Sequence, residues 1–354
     1  MRRSRIFVGL AALTLTAAAV LPAAAQPCGA GWSTTAPITI TNPNATAYTN
    51  FEVRLVLDTA TLVSAGQMRA DGADMRFATT TACLPYTVES GMNTAGTVVW
   101  VNVPSIPASG STTINLWTGN PAAASADDPY ATFAFYQGFE GTPTNFTNPC
   151  GSLTTTVAGG IGTLSWSSSG VLVSTTSFPQ SNVYTAEASV TAASGTWPGL
   201  YWALDDANQR SYSLLTSGAT LTIGLSGAGT GWCQGQNFSG SWAYTSPAGL
   251  WSLTWVATGD IRGSFPTVGA VSSSDGTWAR SANLRLMLGG ISSGNGSMSV
   301  DWVRARQFAP QAMTTAVGPA QQMASIPALG HAGIAAFLVL LGLAGAALLA
   351  RRLG

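Results

Sequence analysis

Lysine is absent from this chain, and histidine occurs once, at His331. All 14 basic residues are arginine, they are matched by 14 acids, and the formal net charge is zero. Charged residues make up 8% of the chain, against roughly 25% in an ordinary soluble domain. No field exists to attract phosphates, which excludes nucleic acid as a partner. Because His331 lies in the C-terminal tail, the globular region has no histidine base. Ser-His-Asp and Cys-His chemistry and a His-ligated zinc site are thereby excluded from it. No C-x-x-C pair or P-loop occurs.

What is present is Gly, Ser, Thr and Ala, with 12 Trp, 12 Phe and 8 Tyr. Small polar residues between β-branched and aromatic ones predict an all-β protein whose strands are joined by turns. The N-terminus carries Arg2, Arg3 and Arg5, an apolar run from Ile6 to Leu21, Pro22, and the small residues Ala23, Ala24 and Ala25. That order predicts a signal peptide over residues 1–25 and an exported protein. Export makes the four cysteines, Cys28, Cys83, Cys150 and Cys233, disulfide candidates. Of the three pairings, Cys28–Cys83 with Cys150–Cys233 is the economical one.

The first region, residues 27–130, has period-2 alternation at turn spacings, which predicts a β-sandwich. In FEVRLVL, Phe51, Val53, Leu55 and Leu57 share one face, and Glu52, Arg54 and Val56 the other. In TVVWVNV, Val99, Val101 and Val103 oppose Val98, Trp100 and Asn102. Thr59 to Gly72 includes a helical turn before an Asp-Gly turn. From Trp32 to Ser125 the chain resembles a bacterial surface domain, the domain of unknown function 2341. The resemblance rests on ITITN, R-x-D-G-x-D-x-R-F, L-P-Y-x-x-E, V-W-V-x-V-P-x-I-P-A-S-G and W-x-G-N-P-x-A, in that order. It implies a secreted, multi-domain surface protein and brings no catalytic role.

The second region, residues 131–310, opens on FAFYQGFEG and closes on SMSVDWVRARQF. With the short strands between, it resembles a concanavalin A-like, laminin-G-like jelly roll. Residues 311–325 have no apolar period and read as a flexible tether. Residues 326–354 follow the plan of an IPTL-CTERM sorting tail, which they resemble. Ile326, Pro327 and Leu329 match the motif, residues 332–350 are an uncharged span long enough for a transmembrane helix, and Arg351 and Arg352 end it. The resemblance implies an exosortase-type sorting enzyme as partner. It also implies passage through the inner membrane and delivery to the cell surface or beyond.

Jelly rolls bind sugars on aromatic platforms. Trp197 and Trp202 lie near Asp205 and Asp206, and Trp251 and Trp255, four apart, share one strand face. These six are the candidate ligand-binding residues; the alternative for each tryptophan is core packing. Asp205 and Asp206 also offer the oxygen ligands Ca²⁺ takes, the alternative being a turn with exposed acids; no other cofactor is expected. Arg69, Asp71, Asp74 and Arg76 form either a recognition patch or a salt-bridged turn that fixes strand register. Glu187 and Asp301 read as lone carboxylates or structural ion pairs. Jelly-roll glucanases place their carboxylates on one strand as E-x-D-x-E, and no such string occurs. The sequence thus predicts a non-catalytic surface protein, engaged in adhesion or recognition of surface glycans, and no enzyme. The alternatives are a structural component of the envelope or matrix, or a polysaccharide-degrading enzyme.

Overall fold

The computed structural model describes residues 26–323 except 151, 206–209, 227–235, 258–259, 275–278 and 292–293. The first sandwich is built from β1 (Thr34–Thr41), β2 (Tyr48–Leu57), α1 (Thr59–Ser64), β3 (Arg76–Ala78), β4 (Cys83–Leu84), β5 (Tyr86–Ser90), β6 (Thr97–Ile106) and β7 (Ser111–Thr118). One sheet runs β2–β6–β5 and the other carries β1–β7–β3–β4. The alternation decides the packing. Phe51, Val53, Leu55, Val99, Val101 and Val103 point inward and meet Ile38, Ile40, Ile114 and Leu116 of the facing sheet. Each such side chain contributes roughly 1.5–3 kcal/mol by burial. The helical turn expected after Leu57 is α1, capped by Asp58, whose side chain accepts from the Thr61 N–H. The disulfide Cys28–Cys83 is formed and ties the N-terminal segment to β4. Cys150 is also disulfide-bonded, and Cys233 lies outside the described residues.

The Arg69–Arg76 cluster is the salt-bridged turn rather than a recognition patch. Gly72 takes φ +68° at its tip, a conformation glycine adopts without steric cost. Asp74 is 1% exposed and accepts from the backbone N–H of Arg69 (2.9 Å) and of Gly119 (3.0 Å). Arg69 bonds the carbonyl of Ala123, and Arg76 that of Ala124. The R-x-D-G-x-D-x-R motif and the G-N-P motif are therefore two halves of one structure.

After α2 (Pro129–Thr132), the second sandwich follows. Its strands are β8 (Phe135–Gln137), β9 (Phe146–Thr147), β10 (Leu153–Ala158), β11 (Ile161–Trp166), β12 (Gly170–Ser174), β13 (Tyr184–Leu204), β14 (Ser211–Ser217), β15 (Thr220–Ser226), β16 (Gln236–Ala243), β17 (Gly249–Ala257), β18 (Asp260–Phe265), β19 (Gly269–Ser273), β20 (Leu284–Gly290) and β21 (Gly296–Gln307). One sheet contains β10–β11–β21, with β8 also on β21, then the first half of β13, and β17–β18–β19. The other contains β9–β12–β20, the second half of β13, and β14–β15–β16. The 21-residue β13 thus serves both sheets. It turns the corner between Gly195 (φ +81°) and a register shift before Gly199, as strands that switch sheets do. A Cβ on Gly195 would collide with the Asn295 carbonyl.

The segment expected to be a tether is instead part of the first sandwich. β22 (Thr314–Val317) and β23 (Gln321–Gln322) pair antiparallel with β1, Ile38 opposite Val317 and Thr34 opposite Gln322. All six residues are exposed. An edge strand with no buried side needs no apolar period, which is why the sequence reads as featureless there. The second sandwich is accordingly an insertion between β7 and β22 of the first. No helix among the described residues is long and apolar enough to cross a membrane. The expected signal peptide and the span 332–350 lie outside the described residues.

Asp74→Ala leaves two partly buried N–H groups without their acceptor and should lower unfolding stability by about 2 kcal/mol in urea titrations. Asp71→Ala, at the exposed tip of the same turn, should leave the midpoint unchanged.

Candidate functional site

Three of the four tryptophans expected to carry a ligand are in the core. Trp202, Trp251 and Trp255 are each 0% exposed. Trp202 donates to the Leu253 carbonyl (2.9 Å), Trp251 to that of Pro247 (2.7 Å), and Trp255 meets Tyr212 edge-on at 4.5 Å. Trp251 and Trp255 do share a strand face, but it is the inward one. Trp197 is half-buried, has φ +59° and sits at the corner of β13. Asp205 is not poised for a ligand: Arg285 pairs with it at 3.0 Å. Asp206 and the sorting residues Ile326, Pro327, Leu329, Arg351 and Arg352 lie outside the described residues. Among the described residues no group of three His, Cys, Asp or Glu side chains gathers where a metal could sit.

The face of the β12–β20–β13–β14 sheet that points away from the core is apolar as well. Val171, Val173, Tyr201, Leu215 and Met287 form a buried cluster there, joined by Trp197 and Cys150. That face holds no pair of carboxylates among the described residues.

The acids and bases converge elsewhere, on the seam between the two sandwiches. Arg304 is 3% exposed. It donates from Nε to Glu187 (2.6 Å) and from Nη2 to Glu89 of the first sandwich (2.7 Å). Its guanidinium lies 4.9 Å from the Trp100 ring, 4.6 Å from Phe133 and 4.5 Å from Trp302. Arg306 donates twice to the other Glu187 oxygen, at 2.9 and 2.7 Å. Burial alone would raise the Glu187 carboxyl, yet the facing Arg306 and Arg304 outweigh it and hold it below the usual carboxylate range. Glu52 is the opposite case. Burial pushes it up to about 6, although the N–H groups of Gln307 and Ala134 and the nearby Arg306 charge work against the rise.

Beside this clasp a cleft of about 250 Å³ opens, lined by Glu89, Phe133, Tyr136, Asp301, Trp302 and Arg304 among others. A β-bulge makes it. Across β13 and β21, Ser189 faces Trp302 while Val190 faces Val300, so Asp301 is the extra residue. Met298, Val300, Val303 and Ala305 all face the core. Asp301 and Trp302, neighbours in sequence, are therefore both turned out of it, as bulges re-aim side chains. Asp301 is half-buried and has no hydrogen bond or ion pair among the described residues. Tyr136 stacks on Trp302 at 6.4 Å and on Phe133 at 6.2 Å. Burial, with the charges of Glu140 and Asp301, pushes its phenol up, so it stays a proton donor. Sequence reading saw Asp301 only as a lone acid. The signal it missed is the slip in the apolar period of MSVDWVRA, from two residues to three between Val300 and Val303.

Residues 71–156 match the family described as Domain of unknown function (DUF2341). The stretch begins later than the resemblance from Trp32 suggested and runs into β10. No curated protein matches the chain. Solved structures similar to it include the laminarinase catalytic domain from Thermotoga maritima, at 10% identity and TM-score 0.35, covering 50% of this chain and 98% of that one. The kappa-carrageenase from Pseudoalteromonas carrageenovora is 12% identical at TM-score 0.34, covering 49% and 93%. A non-specific endo-β-1,3(4)-glucanase from family GH16 is 13% identical at TM-score 0.36, covering 50% and 94%. At these values the likeness transfers no activity. The expectation of a non-catalytic adhesion or recognition protein is corrected by the structure itself: the tryptophan platform behind that reading is buried, so neither it nor the exclusion of an enzyme stands.

Glu187→Gln removes the charge that compensates two arginines at the seam and should cost about 3–5 kcal/mol in chemical unfolding. Glu52 has the opposite sign. Its native value lies above the ordinary 4.5, so its ionisation lowers stability as pH rises from 4.5 to about 6, by about 2 kcal/mol. Glu52→Gln should flatten that slope, read from unfolding midpoints at each pH.

Proposed function

We propose that this is an exported surface protein that cleaves polysaccharide at the cleft between its two sandwiches. The observation that carries the reading is the bulge that turns Asp301 and Trp302 together toward Glu89 and Tyr136. Hydrolysis of a glycosidic bond needs two carboxyl groups flanking it. One protonates the leaving oxygen, and the other activates water or attacks the anomeric carbon. Asp301 and Glu89 are the pair that lines this cleft. Trp302 and Tyr136 supply ring surface for a sugar, and the Tyr136 hydroxyl a donor. Delivery rests on the sequence: residues 1–25 direct export, and residues 326–354 address the chain to an exosortase-type enzyme, with passage through the inner membrane before release to the surface. Surface glycans are then the substrates at hand.

Asp301→Asn should reduce the release of reducing ends from a panel of β-glucans, galactans and amino-sugar polymers by about 100-fold or more, with no change in melting temperature. Glu89→Gln should do the same with some loss of stability, since Arg304 loses a partner. A wild-type protein that releases nothing from any polymer, or an Asp301→Asn variant of full activity, would overturn the reading. A structural role in the envelope, which the buried seam favours, would then take its place.

A further inference from the structure

Among the described residues, β1 is bounded on one side by β7 and on the other only by β22 and β23, supplied by the end of the described chain. We propose that this edge of β1 is a strand-acceptor site, and that a second copy of the chain delivers its residues 314–322 into it, joining copies by strand exchange. Three observations carry this. First, every residue of β22 and β23 is exposed, so side chains contribute little to their attachment. They are held by the main-chain ladder, together with the bonds from Gly318 N–H to Pro37 O (2.8 Å) and from Met323 N–H to Ser33 O (2.7 Å). Main-chain bonds do not depend on which copy supplies the strand, so a second chain reproduces every one of them.

Second, a hinge is present. Gln311 is tied to Asn44 by two bonds, of 2.8 and 2.9 Å, and Met313 packs against the core. Side-chain packing resumes only at Ala320 and Met323, so Thr314–Val317 between these anchors is held by its main chain. An exposed edge strand with no buried side chain lies at the low end of local stability and opens without global unfolding. Third, Thr314–Val317 has none of the features that protect edges, such as a charge, a proline or a bulge, and Val317 is 47% exposed.

The test uses the whole protein with single cysteines at the register pair Thr39 and Ala316. The double variant Thr39→Cys with Ala316→Cys should close a disulfide within one chain, which reports the strand in place. An incubated mixture of Thr39→Cys chains with differently tagged Ala316→Cys chains should give a heterodimer band at twice the chain mass on non-reducing gels. Thr39→Cys mixed with Val56→Cys, an exposed site elsewhere on the same sandwich, should give none. A mixture without the heterodimer, or an equal yield with Val56→Cys, would overturn strand exchange. Failure of the double variant to close would overturn it too, by removing β22 from the edge.

Discussion

A buried guanidinium bridges the two halves of this molecule. Arg304 leaves β21 of the second sandwich and meets Glu187 of its own sandwich and Glu89 of the other. Burying a charge is costly unless it is paired and fully hydrogen-bonded. Here the planar fork suits the task as an ammonium would not, because it bonds carboxylates in its plane while its faces lie against Trp100, Phe133 and Trp302. The outer face of β6 is consequently buried: Val98 is 8% and Trp100 5% exposed. The position of β21 set by this contact also decides where the chain emerges. Gln307 bonds the carbonyls of Thr49 and Asn50, and from there the chain can reach β1.

Two glutamates on the same seam show how environment rather than residue type sets behaviour. Glu187 faces two arginines and Glu52 mainly faces backbone N–H groups. A cation offsets the loss of hydration in the first case, and amide dipoles fail to do so fully in the second. Acid therefore weakens the Glu187 contacts and relieves the Glu52 site. The seam is held by terms of opposite pH dependence, with the cleft at its margin.

Much of the first sandwich was legible because its strands alternate. Phe51 to Leu57 and Val99 to Val103 were placed on their correct faces by period alone, and the Arg69–Arg76 turn by its glycine and acids. The second sandwich shows the limit of the method. Trp251 and Trp255 share a face, but periodicity does not say whether that face is core or surface when both neighbours are apolar or small. The edge strand β22 left no signal, since an element held by main-chain bonds alone places no demand on side chains. The cleft was hidden for a different reason: Glu89, Tyr136 and Asp301 are far apart in sequence, and only the break in alternation at Asp301 marks the spot.

The stretch of the first sandwich that matches the family and the unit that folds are also different things. The stretch that matches the family, residues 71–156, contains β3 to β7 but neither β1 nor β2. Yet β1 supplies Ile38 and Ile40, and β2 supplies Val53 and Leu55, all essentially unexposed. Without them β6 and β7 would each lose a sheet neighbour and the core half of its walls. β22, which completes the β1 edge, arrives from the far side of the inserted sandwich. The stretch that matches the family therefore requires β1 and β2, from before it, to complete its core. The Arg304 clasp holds the inserted sandwich where its far end reaches the β1 edge.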